Sequence, residues 1–264
     1  MREGIQGKVV LLTGGCLGLG AEIARHLAFR GARVAVAGRR KERLDDLVAR
    51  IVDGGGEARA YRVYVSHGAQ VRAVVEAAIA DFGRLNVTVN NAAAMMPNQR
   101  MLEARTDAWD ATIDVNLKGM LHGVAAALPV FQAQGRGHII NLSTVAATKV
   151  CAPRDTVCAG VKLAVRAITD GLRQAVAGGI RVTCILSGAI EGEPMFGEVR
   201  ARLDASLRRK VVPASSVARA IAHAIEQPTD IDINEIVLRA AAGPRLVCPA
   251  HAVSQQGEPS WAMT

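Results

Sequence analysis

The chain has 264 residues, of which 50% are hydrophobic, 3% are aromatic and 21% are charged. This length suits one open α/β domain, and the scarcity of aromatic residues means that its core consists mainly of Ala, Val, Leu and Ile. The net charge is +8, but the basic residues are spread along the whole chain, which argues against a nucleic-acid partner.

The cysteines are odd in number, scattered and free of any Cys-x-x-Cys pair, which argues against a disulfide framework and a structural zinc site. They are Cys16, Cys151, Cys158, Cys184 and Cys248. We therefore expect a reduced, cytoplasmic protein without a metal. Nothing at the N-terminus resembles a signal peptide, and no apolar run reaches transmembrane length, so we expect no membrane partner.

Predicted strands and helices alternate along the chain. Short apolar or alternating runs predict strands, and apolar residues at helical spacing predict helices. In chain order these are strand 8–13, helix 19–29, strand 33–37, helix 41–52, strand 58–65, helix 69–82, strand 86–89, helix 107–134, strand 138–142, helix 156–177, strand 181–186, helices 198–209 and 215–226, and strand 233–239.

This alternation predicts the fold class. Most strands are apolar on both sides, which is typical of a mostly parallel sheet covered by helices on both faces. We expect one doubly wound α/β domain of the Rossmann type over residues 1–242. Residues 243–264 lack periodicity and are expected to form an extended tail, either poorly ordered or packed on a neighbouring subunit.

A glycine-rich turn, Thr-Gly-Gly-Cys-Leu-Gly-Leu-Gly at 13–20, joins the first strand to the first helix. Glycines let the backbone turn sharply and approach a pyrophosphate at the helix N-terminus. The glycine spacing resembles that of the short-chain dehydrogenase/reductase family; the alternative is a purely structural turn. The resemblance implies cofactor contacts from Thr13, Gly14, Cys16, Leu17, Gly18, Leu19 and Gly20.

The end of the second strand predicts the choice of cofactor. NAD-binding sites place an acid there to hold the ribose 2′-hydroxyl, whereas this chain has Gly38 followed by Arg39 and Arg40. Guanidinium groups pair with a 2′-phosphate, so we expect NADP(H) rather than NAD(H). The alternative is that both arginines are simply a solvated helix start.

Two further segments resemble the family's cofactor site. Asn-Asn-Ala-Ala at 90–93 is similar to the family's Asn-Asn-Ala-Gly turn, which implies contacts from Asn91 and Ala92. At the end of the third strand, Tyr64 stands where the family usually has an Asp that contacts the adenine, and cofactor contacts are implied for Tyr64 and the next residue, Val65. A tyrosine can stack on the adenine but does not replace the hydrogen bond of the acid.

The resemblance covers residues 5–240 and extends to the catalytic positions. In the family a Tyr exchanges a proton with the substrate oxygen, a Lys lowers the pKa of that Tyr and holds the nicotinamide ribose, a Ser orients the carbonyl, and an Asn supports a water chain. The matching residues here are Lys162, Asn116 and either Ser143 or Thr144, with Thr144 favoured by alignment on residues 141–142. The Tyr position is occupied by Cys158.

Cys158 is suited to proton transfer by acidity but not by reach. A free thiol has a pKa of about 8.5 against about 10 for tyrosine, but its sulfur lies roughly 4 Å closer to its Cα than a tyrosine oxygen does. A general acid must come within about 3 Å of the reacting atom or act through one water. The open interpretations are a small residue without chemistry, a nucleophile, and acid catalysis relayed by water or assisted by the substrate.

Residues 187–212 resemble the family's substrate lid. Met95, Met96, Met195 and Phe196 either line an apolar substrate pocket or pack ordinarily. The sequence thus predicts an NADP(H)-dependent oxidoreductase of apolar carbonyls or alcohols with weakened acid catalysis. The alternative is a catalytically silent NADP(H)-binding protein. Helices 107–134 and 156–177 usually form the family's subunit contacts, so a homodimer or homotetramer is expected.

Overall fold

The computed structural model describes residues 4–94, 106–145, 156–176, 178–191 and 211–241. Within these residues, seven strands form one sheet. The strands are β1 (Val9–Thr13), β2 (Arg33–Gly38), β3 (Glu57–Arg62), β4 (Val87–Asn90), β5 (Gly137–Thr144), β6 (Ile180–Ser187) and β7 (Glu235–Leu238).

All the strand pairs are parallel, and the strand order is β3-β2-β1-β4-β5-β6-β7. The order reverses between β1 and β4, because the chain first builds outward to β3 and then returns to the other side of β1. In sheets of this kind the connecting helices leave a crevice at the carboxyl ends of the strands where the order reverses.

The described helices cover both faces of the sheet. They are α1 (Gly18–Phe29), α2 (Lys41–Asp53), α3 (Gly68–Phe82), α4 (Thr106–Ile113), α5 (Gly119–Gln134), α6 (Thr156–Ala175) and α7 (Ala214–Glu226), with a π-helical turn, Asp114–Lys118, between α4 and α5. Of the described helices, none is long and apolar enough to cross a membrane.

The core lies on both faces of the sheet, as the strand composition predicts. One apolar cluster joins the sheet to α1, α2 and α7, and a second joins it to α3, α5 and α6. Every residue of β1, β4 and β6 is buried, because helices cover these strands on both sides. The doubly wound α/β fold expected from the sequence is confirmed.

Two predicted elements need correction. The helix expected over 107–134 is interrupted by the π-helical turn at Asp114–Lys118. The third strand ends at Arg62 rather than at residue 65, because the backbone hydrogen bonds to β2 end with that from Val63 to the carbonyl of Gly38. The predicted helix 198–209 and the tail 243–264 lie outside the described residues.

His138 lies at the amino-terminal edge of the sheet, at the start of β5. Its side chain is 2% exposed, and its Nε2 lies 2.8 Å from the hydroxyl of Thr183. Burial lowers the pKa of His138 well below its usual value, and the positive charges of Arg181 and Lys8 lower it further. The folded protein therefore holds this imidazole neutral at neutral pH.

This buried imidazole predicts a loss of stability in mild acid. The unfolded chain binds a proton at His138 below pH 6.5, whereas the folded chain does not until the pH reaches its much lower pKa. The free energy of unfolding should therefore fall as the pH drops below about 6.5, by about 1.4 kcal/mol for each pH unit. Urea denaturation between pH 7.5 and 5 measures this loss.

His138→Gln is the matched control, since it removes the titrating group and keeps a polar side chain beside Thr183. Its stability should depend less steeply on pH over the same interval. Equal slopes for the two proteins would show that His138 does not produce the pH dependence.

Candidate functional site

A cavity of about 340 Å³ opens at the carboxyl ends of β1, β2 and β3, where the sheet order reverses. We call it the main cavity. Its lining includes twelve of the residues that the sequence predicts to bind a cofactor: Gly14, Cys16, Leu17, Gly18, Leu19, Gly20, Arg39, Arg40, Tyr64, Val65, Asn91 and Ala92.

Two predicted cofactor residues, Thr13 and Lys162, do not line the main cavity. The remaining lining residues, which the sequence analysis did not assign to cofactor contacts, are Gly38, Val63, Ser66, Ala93 and Val115. Four of them adjoin predicted cofactor segments, so extending each motif by one residue would have found them, whereas Val115 adjoins Asn116, which the sequence predicts as a catalytic residue.

The glycine-rich turn brings two backbones into direct contact. Gly14 has a φ of +71°, and a Cβ built on it would lie 2.7 Å from the Cα of Ala92. A Cβ on Gly20 would lie 2.1 Å from the carbonyl oxygen of Gly14. The absence of side chains at both positions lets the turn close against the β4 loop and leaves its main chain open to a ligand at the start of α1.

Thr13 lies beneath this turn and holds it to the end of β4. Its hydroxyl accepts hydrogen bonds from the backbone N–H groups of Asn91 (3.1 Å) and Ala92 (3.2 Å) and donates to the carbonyl of Val89 (3.4 Å). The Asn91 side-chain amide donates in return to the carbonyls of Thr13 and Gly14. Thr13 therefore shapes the main cavity from below.

The end of β2 forms a positively charged wall of the main cavity. Gly38 is buried, whereas Arg39 and Arg40 are exposed, and the described lining residues include no Asp or Glu. A Cβ at Gly38 would lie 2.7 Å from the sulfur of Cys16. The end of β2 thus carries no acid, and an acidic side chain at position 38 would fit only if Cys16 moved.

A third arginine, Arg62, lies beside this wall and was missed by sequence reasoning. The sheet register pairs Arg62 of β3 with Gly38 of β2. Its guanidinium donates to the hydroxyl of Tyr64 at 3.3 Å and lies 5.8 Å from the centre of that ring. Only the pairing of β2 with β3 identifies this neighbour, because no local motif includes it.

Helix α6 carries Cys158 and Lys162 one turn apart on the same face. Both side chains are half-buried, so Cys158 is not a fully buried core residue. The ammonium group of Lys162 donates to the carbonyl of Leu142 at 3.1 Å. The two residues are thus neighbours on one face of α6, and the ammonium group of Lys162 lies at the end of β5.

The two candidate hydroxyls at the end of β5 have different surroundings. Ser143 is 5% exposed, and its hydroxyl donates to the backbone carbonyl of Lys162 at 2.8 Å. Thr144 is half-buried, and its hydroxyl donates to the carbonyl of Ser187 at 3.0 Å. Ser143 therefore ties β5 to α6, and Thr144 is the more accessible of the two.

Asn116 lies within the π-helical turn and is 3% exposed. Its side-chain oxygen accepts from the backbone N–H of Ala94 at 2.6 Å, and its amide donates to the carbonyl of Ala94 at 2.9 Å. This two-way bridge links the π-helical turn to the chain that leaves β4. Asn116 lies close to the main cavity, because its neighbour Val115 lines that cavity.

A chain of buried polar side chains fixes α6 to the sheet. Asn90 of β4 donates to Asn141 of β5 at 2.8 Å, and Asn141 donates to the hydroxyl of Thr169 of α6 at 2.9 Å. The side chain of Asn90 occupies the space over Gly123 of α5, where a Cβ would lie 2.1 Å from its oxygen. A buried polar group without a partner lowers the stability of the fold. These hydrogen bonds therefore fix one position of α6 along β5.

Comparison with known proteins gives consistent matches over most of the chain. The profile of the family described as short chain dehydrogenase matches residues 8–204. An uncharacterized oxidoreductase of Staphylococcus saprophyticus is 36% identical over 242 residues, which cover 89% of this chain and 96% of that protein.

Two solved structures are similar as well. A short chain dehydrogenase from Burkholderia cenocepacia in complex with NADP is 29% identical, with a TM-score of 0.80 over 92% of this chain and 99% of that one. A metagenomic short-chain oxidoreductase in complex with NADP is 27% identical, with a TM-score of 0.76 over 89% and 97%.

The contacts of Thr13 predict that its hydroxyl stabilises the fold. Thr13→Val keeps the shape of the side chain but removes the acceptor for two backbone N–H groups. The free energy of unfolding should fall by about 1–3 kcal/mol, as measured by urea denaturation.

Thr13→Ser is the control, because it keeps the hydroxyl and loses only a methyl group, at a cost of about 0.8 kcal/mol. If the Val variant proves no less stable than the Ser variant, the hydroxyl does not hold the turn.

Proposed function

This chain belongs to the short chain dehydrogenase family of oxidoreductases, and from that premise we propose that it is NADP(H)-dependent and transfers hydride to or from the carbonyl or alcohol carbon of an apolar small molecule. The observation that carries the proposal is the main cavity, in which a glycine cradle adjoins a wall formed by Arg39 and Arg40. NADP is the cofactor in the two similar solved structures.

The lining residues fit the parts of NADP(H). The main chain of the turn at 14–20 and the start of α1 suit the pyrophosphate, because they expose N–H groups and the positive end of the helix. Arg39 and Arg40 suit the adenosine 2′-phosphate, since guanidinium groups bind phosphate through paired hydrogen bonds. Without an acid among the described lining residues, NAD(H) is the less favoured cofactor.

We assign the remaining cofactor contacts by position. Tyr64 and Val65 flank the place of the adenine, Asn91 and Ala92 that of the adjoining ribose, and Lys162 that of the nicotinamide ribose. When bound, NADPH supplies the hydride for the reduction.

The chain's own groups orient the substrate and move the proton. We assign the carbonyl-orienting hydroxyl to Thr144, because it is more accessible than Ser143, whose proton is donated to the carbonyl of Lys162. Lys162 places a positive charge beside Cys158, which favours a thiolate after proton loss. Asn116 holds the π-helical turn at a fixed distance from the β4 loop through its bridge to Ala94.

Cys158 is the proposed proton source in reduction, acting through one water. The thiol gives its proton to the water, the water gives a proton to the substrate oxygen, and the resulting thiolate lies next to the ammonium group of Lys162. The intervening water makes up for the shorter reach of a thiol compared with a phenol. The half-buried position of Cys158 supports this relay.

A catalytically silent NADP(H)-binding protein is the second candidate function. It is favoured by Cys158 itself, because loss of a positioned general acid costs on the order of 10²–10⁴ in rate. Tyr64 in place of an acid beside the adenine also favours it. In that case the protein would act as a sensor or as a partner subunit.

We also propose that the protein is cytoplasmic and forms a homodimer or homotetramer. Leu121 of α5 and Leu163 of α6 are 38% and 50% exposed, which supports a subunit contact through these helices; sedimentation as a monomer would rule this out. The proposed lid at 187–212 is described only in part, and Met95, Met96, Met195 and Phe196 lie outside the described residues.

The arginine wall predicts a selective change in cofactor affinity. Replacing Arg39 and Arg40 together by Ala removes the cationic partners of the 2′-phosphate, each worth about 1.5–3 kcal/mol. NADPH should bind about 10²- to 10⁴-fold more weakly in a fluorescence titration, whereas NADH should bind as before.

Arg43→Ala, in the first turn of α2 and outside the lining of the main cavity, is the control and should leave both affinities unchanged. An equal loss of NADPH and NADH affinity in the double variant would contradict the assignment of these arginines to the 2′-phosphate.

Cys158→Tyr tests the catalytic end. If the pocket is competent and lacks only a well-placed acid, kcat/KM for NADPH-dependent reduction should rise by about 10²–10⁴ for at least one member of a panel of apolar ketones and aldehydes.

Cys158→Ala is the companion variant and separates the two candidate functions. Measurable turnover by the wild type that falls in the Ala variant supports the thiol as proton source, whereas unchanged turnover removes it from the mechanism. An inert wild type that binds NADPH, with an inert Tyr variant, favours the silent protein.

A further inference from the structure

A second cavity, of about 220 Å³, lies at the opposite edge of the sheet, at the amino ends of β1, β4, β5 and β6. We call it the basal cavity. It is separate from the main cavity, and the proposed reaction does not use it. Its lining residues are Gln6, Gly7, Lys8, Arg84, Asn86, Val87, Arg136, Gly137, His138, Gly179, Arg181 and Thr229.

The lining is strongly cationic. The described lining residues include Lys8, Arg84, Arg136 and Arg181 but no Asp or Glu. Asp232 is close enough to Arg181 for the arginine to affect its pKa, but its carboxylate lies outside the lining and accepts from the backbone N–H of Val182. Among the described residues, four positively charged side chains surround a small space and no carboxylate lines it.

Two of these cations have protein partners that explain them. The ammonium group of Lys8 donates to the carbonyl of Ile225 at 3.1 Å, and Arg181 donates to the carbonyl of Ala224 at 2.9 Å. Both carbonyls lie at the C-terminal end of α7, whose dipole favours positive charge. Lys8 and Arg181 therefore stabilise a helix end and contribute to the basal cavity only through their charge.

Arg84 and Arg136 have no such explanation. Each follows a glycine in the left-handed conformation that ends a helix, Gly83 after α3 and Gly135 after α5. Among the described residues, no carboxylate lies within ion-pair distance of either guanidinium. The Nε of Arg84 is fully buried and has no protein acceptor.

His138 adds a second buried polar atom without a protein partner, its Nδ1. The tautomer in which the hydroxyl of Thr183 donates to Nε2 of His138, at 2.8 Å, leaves the fewest of these polar groups without a partner. The neutral ring then carries its own proton on Nδ1, which makes that atom a donor. The basal cavity therefore combines excess positive charge with two buried donors, Arg84 Nε and His138 Nδ1.

Helix dipoles do not cancel this charge. The ends of α3, α5 and α7 converge near the basal cavity, and each contributes roughly half a negative charge. These partial charges give Arg84 and Arg136 no carboxylate partner among the described residues, and they leave the buried Nε of Arg84 without an acceptor. An anion removes the imbalance and supplies acceptors for buried donors, which otherwise carry a desolvation penalty.

We propose that the basal cavity binds a small oxyanion, specifically a phosphate group. Arginine side chains match the oxygens of phosphate through paired hydrogen bonds, whereas chloride offers no directional acceptors. The volume of about 220 Å³ is below that of a typical drug-sized ligand pocket, so it suits free phosphate or the head of a small phosphomonoester.

Calorimetric titration of the full-length protein with inorganic phosphate, at constant ionic strength set by sodium chloride, tests the proposal. The wild type should bind phosphate saturably. Arg136→Gln, at the exposed rim, and Arg84→Gln should each weaken that binding about tenfold or more. Arg136→Gln should also unfold at the wild-type temperature in chloride alone, because this residue has no protein partner to lose.

The Arg39→Ala/Arg40→Ala variant locates the bound ion, because it removes the arginine wall of the main cavity and leaves the basal cavity intact. Phosphate binding should persist in this variant. Loss of binding there with retention in Arg136→Gln, or the absence of phosphate binding in the wild type, would overturn the proposal. Neither outcome depends on whether the protein uses NADPH or turns over a substrate.

Glycerol 3-phosphate identifies the source of the phosphate group. Tighter binding of this ester than of inorganic phosphate, abolished by Arg136→Gln, points to a phosphorylated metabolite. Tighter binding of inorganic phosphate, with the same sensitivity to that variant, points to the free ion.

Discussion

The separation of β1 and β4 at their carboxyl ends is the constraint on which the main cavity depends. Where the two strands diverge, the backbone N–H groups of Asn91 and Ala92 lose the partners that a continuing ladder would give them. The hydroxyl of Thr13 takes both, and this allows Gly14 to lie against Ala92 without an intervening side chain. The hydroxyl oxygen of Thr13 thus closes the floor of the crevice, while the side of the crevice that faces the solvent stays open.

A second constraint acts on the catalytic side and comes from polar groups inside the core. The hydrogen bonds from Asn90 to Asn141 and from Asn141 to Thr169 fix the position of α6 along β5. The hydrogen bond from Ser143 to the carbonyl of Lys162 also joins β5 to α6, one helical turn from Cys158. The proposed catalytic groups are consequently held by residues that never meet the substrate. A change of side chain at position 158 therefore acts on the chemistry more than on the position of the helix.

Local sequence patterns were enough to predict the strands, the helices and most of the residues that line the main cavity. The glycine-rich turn and the arginines after β2 are each contained within one short segment, so the sequence shows them directly. Features that join distant segments were not predictable in this way. Asn116 of the π-helical turn bonds to Ala94 across 22 positions. Arg62 comes beside Gly38 only through the pairing of β2 with β3. The basal cavity is lined by residues from four strand starts and the segments before them. The roles assigned to Cys158, Lys162 and Thr144 stay predictions.

The contact between Gly38 and Cys16 has an evolutionary consequence. A side chain at position 38 contacts the sulfur of Cys16. An acid that favours NAD(H) can therefore be added at position 38 only if the side chain at position 16 changes or moves. A lineage that takes up the acid first must also move the side chain of Cys16 away from position 38, whereas one that first exchanges Cys16 for a smaller residue need not. The two positions are therefore coupled in any change of dinucleotide.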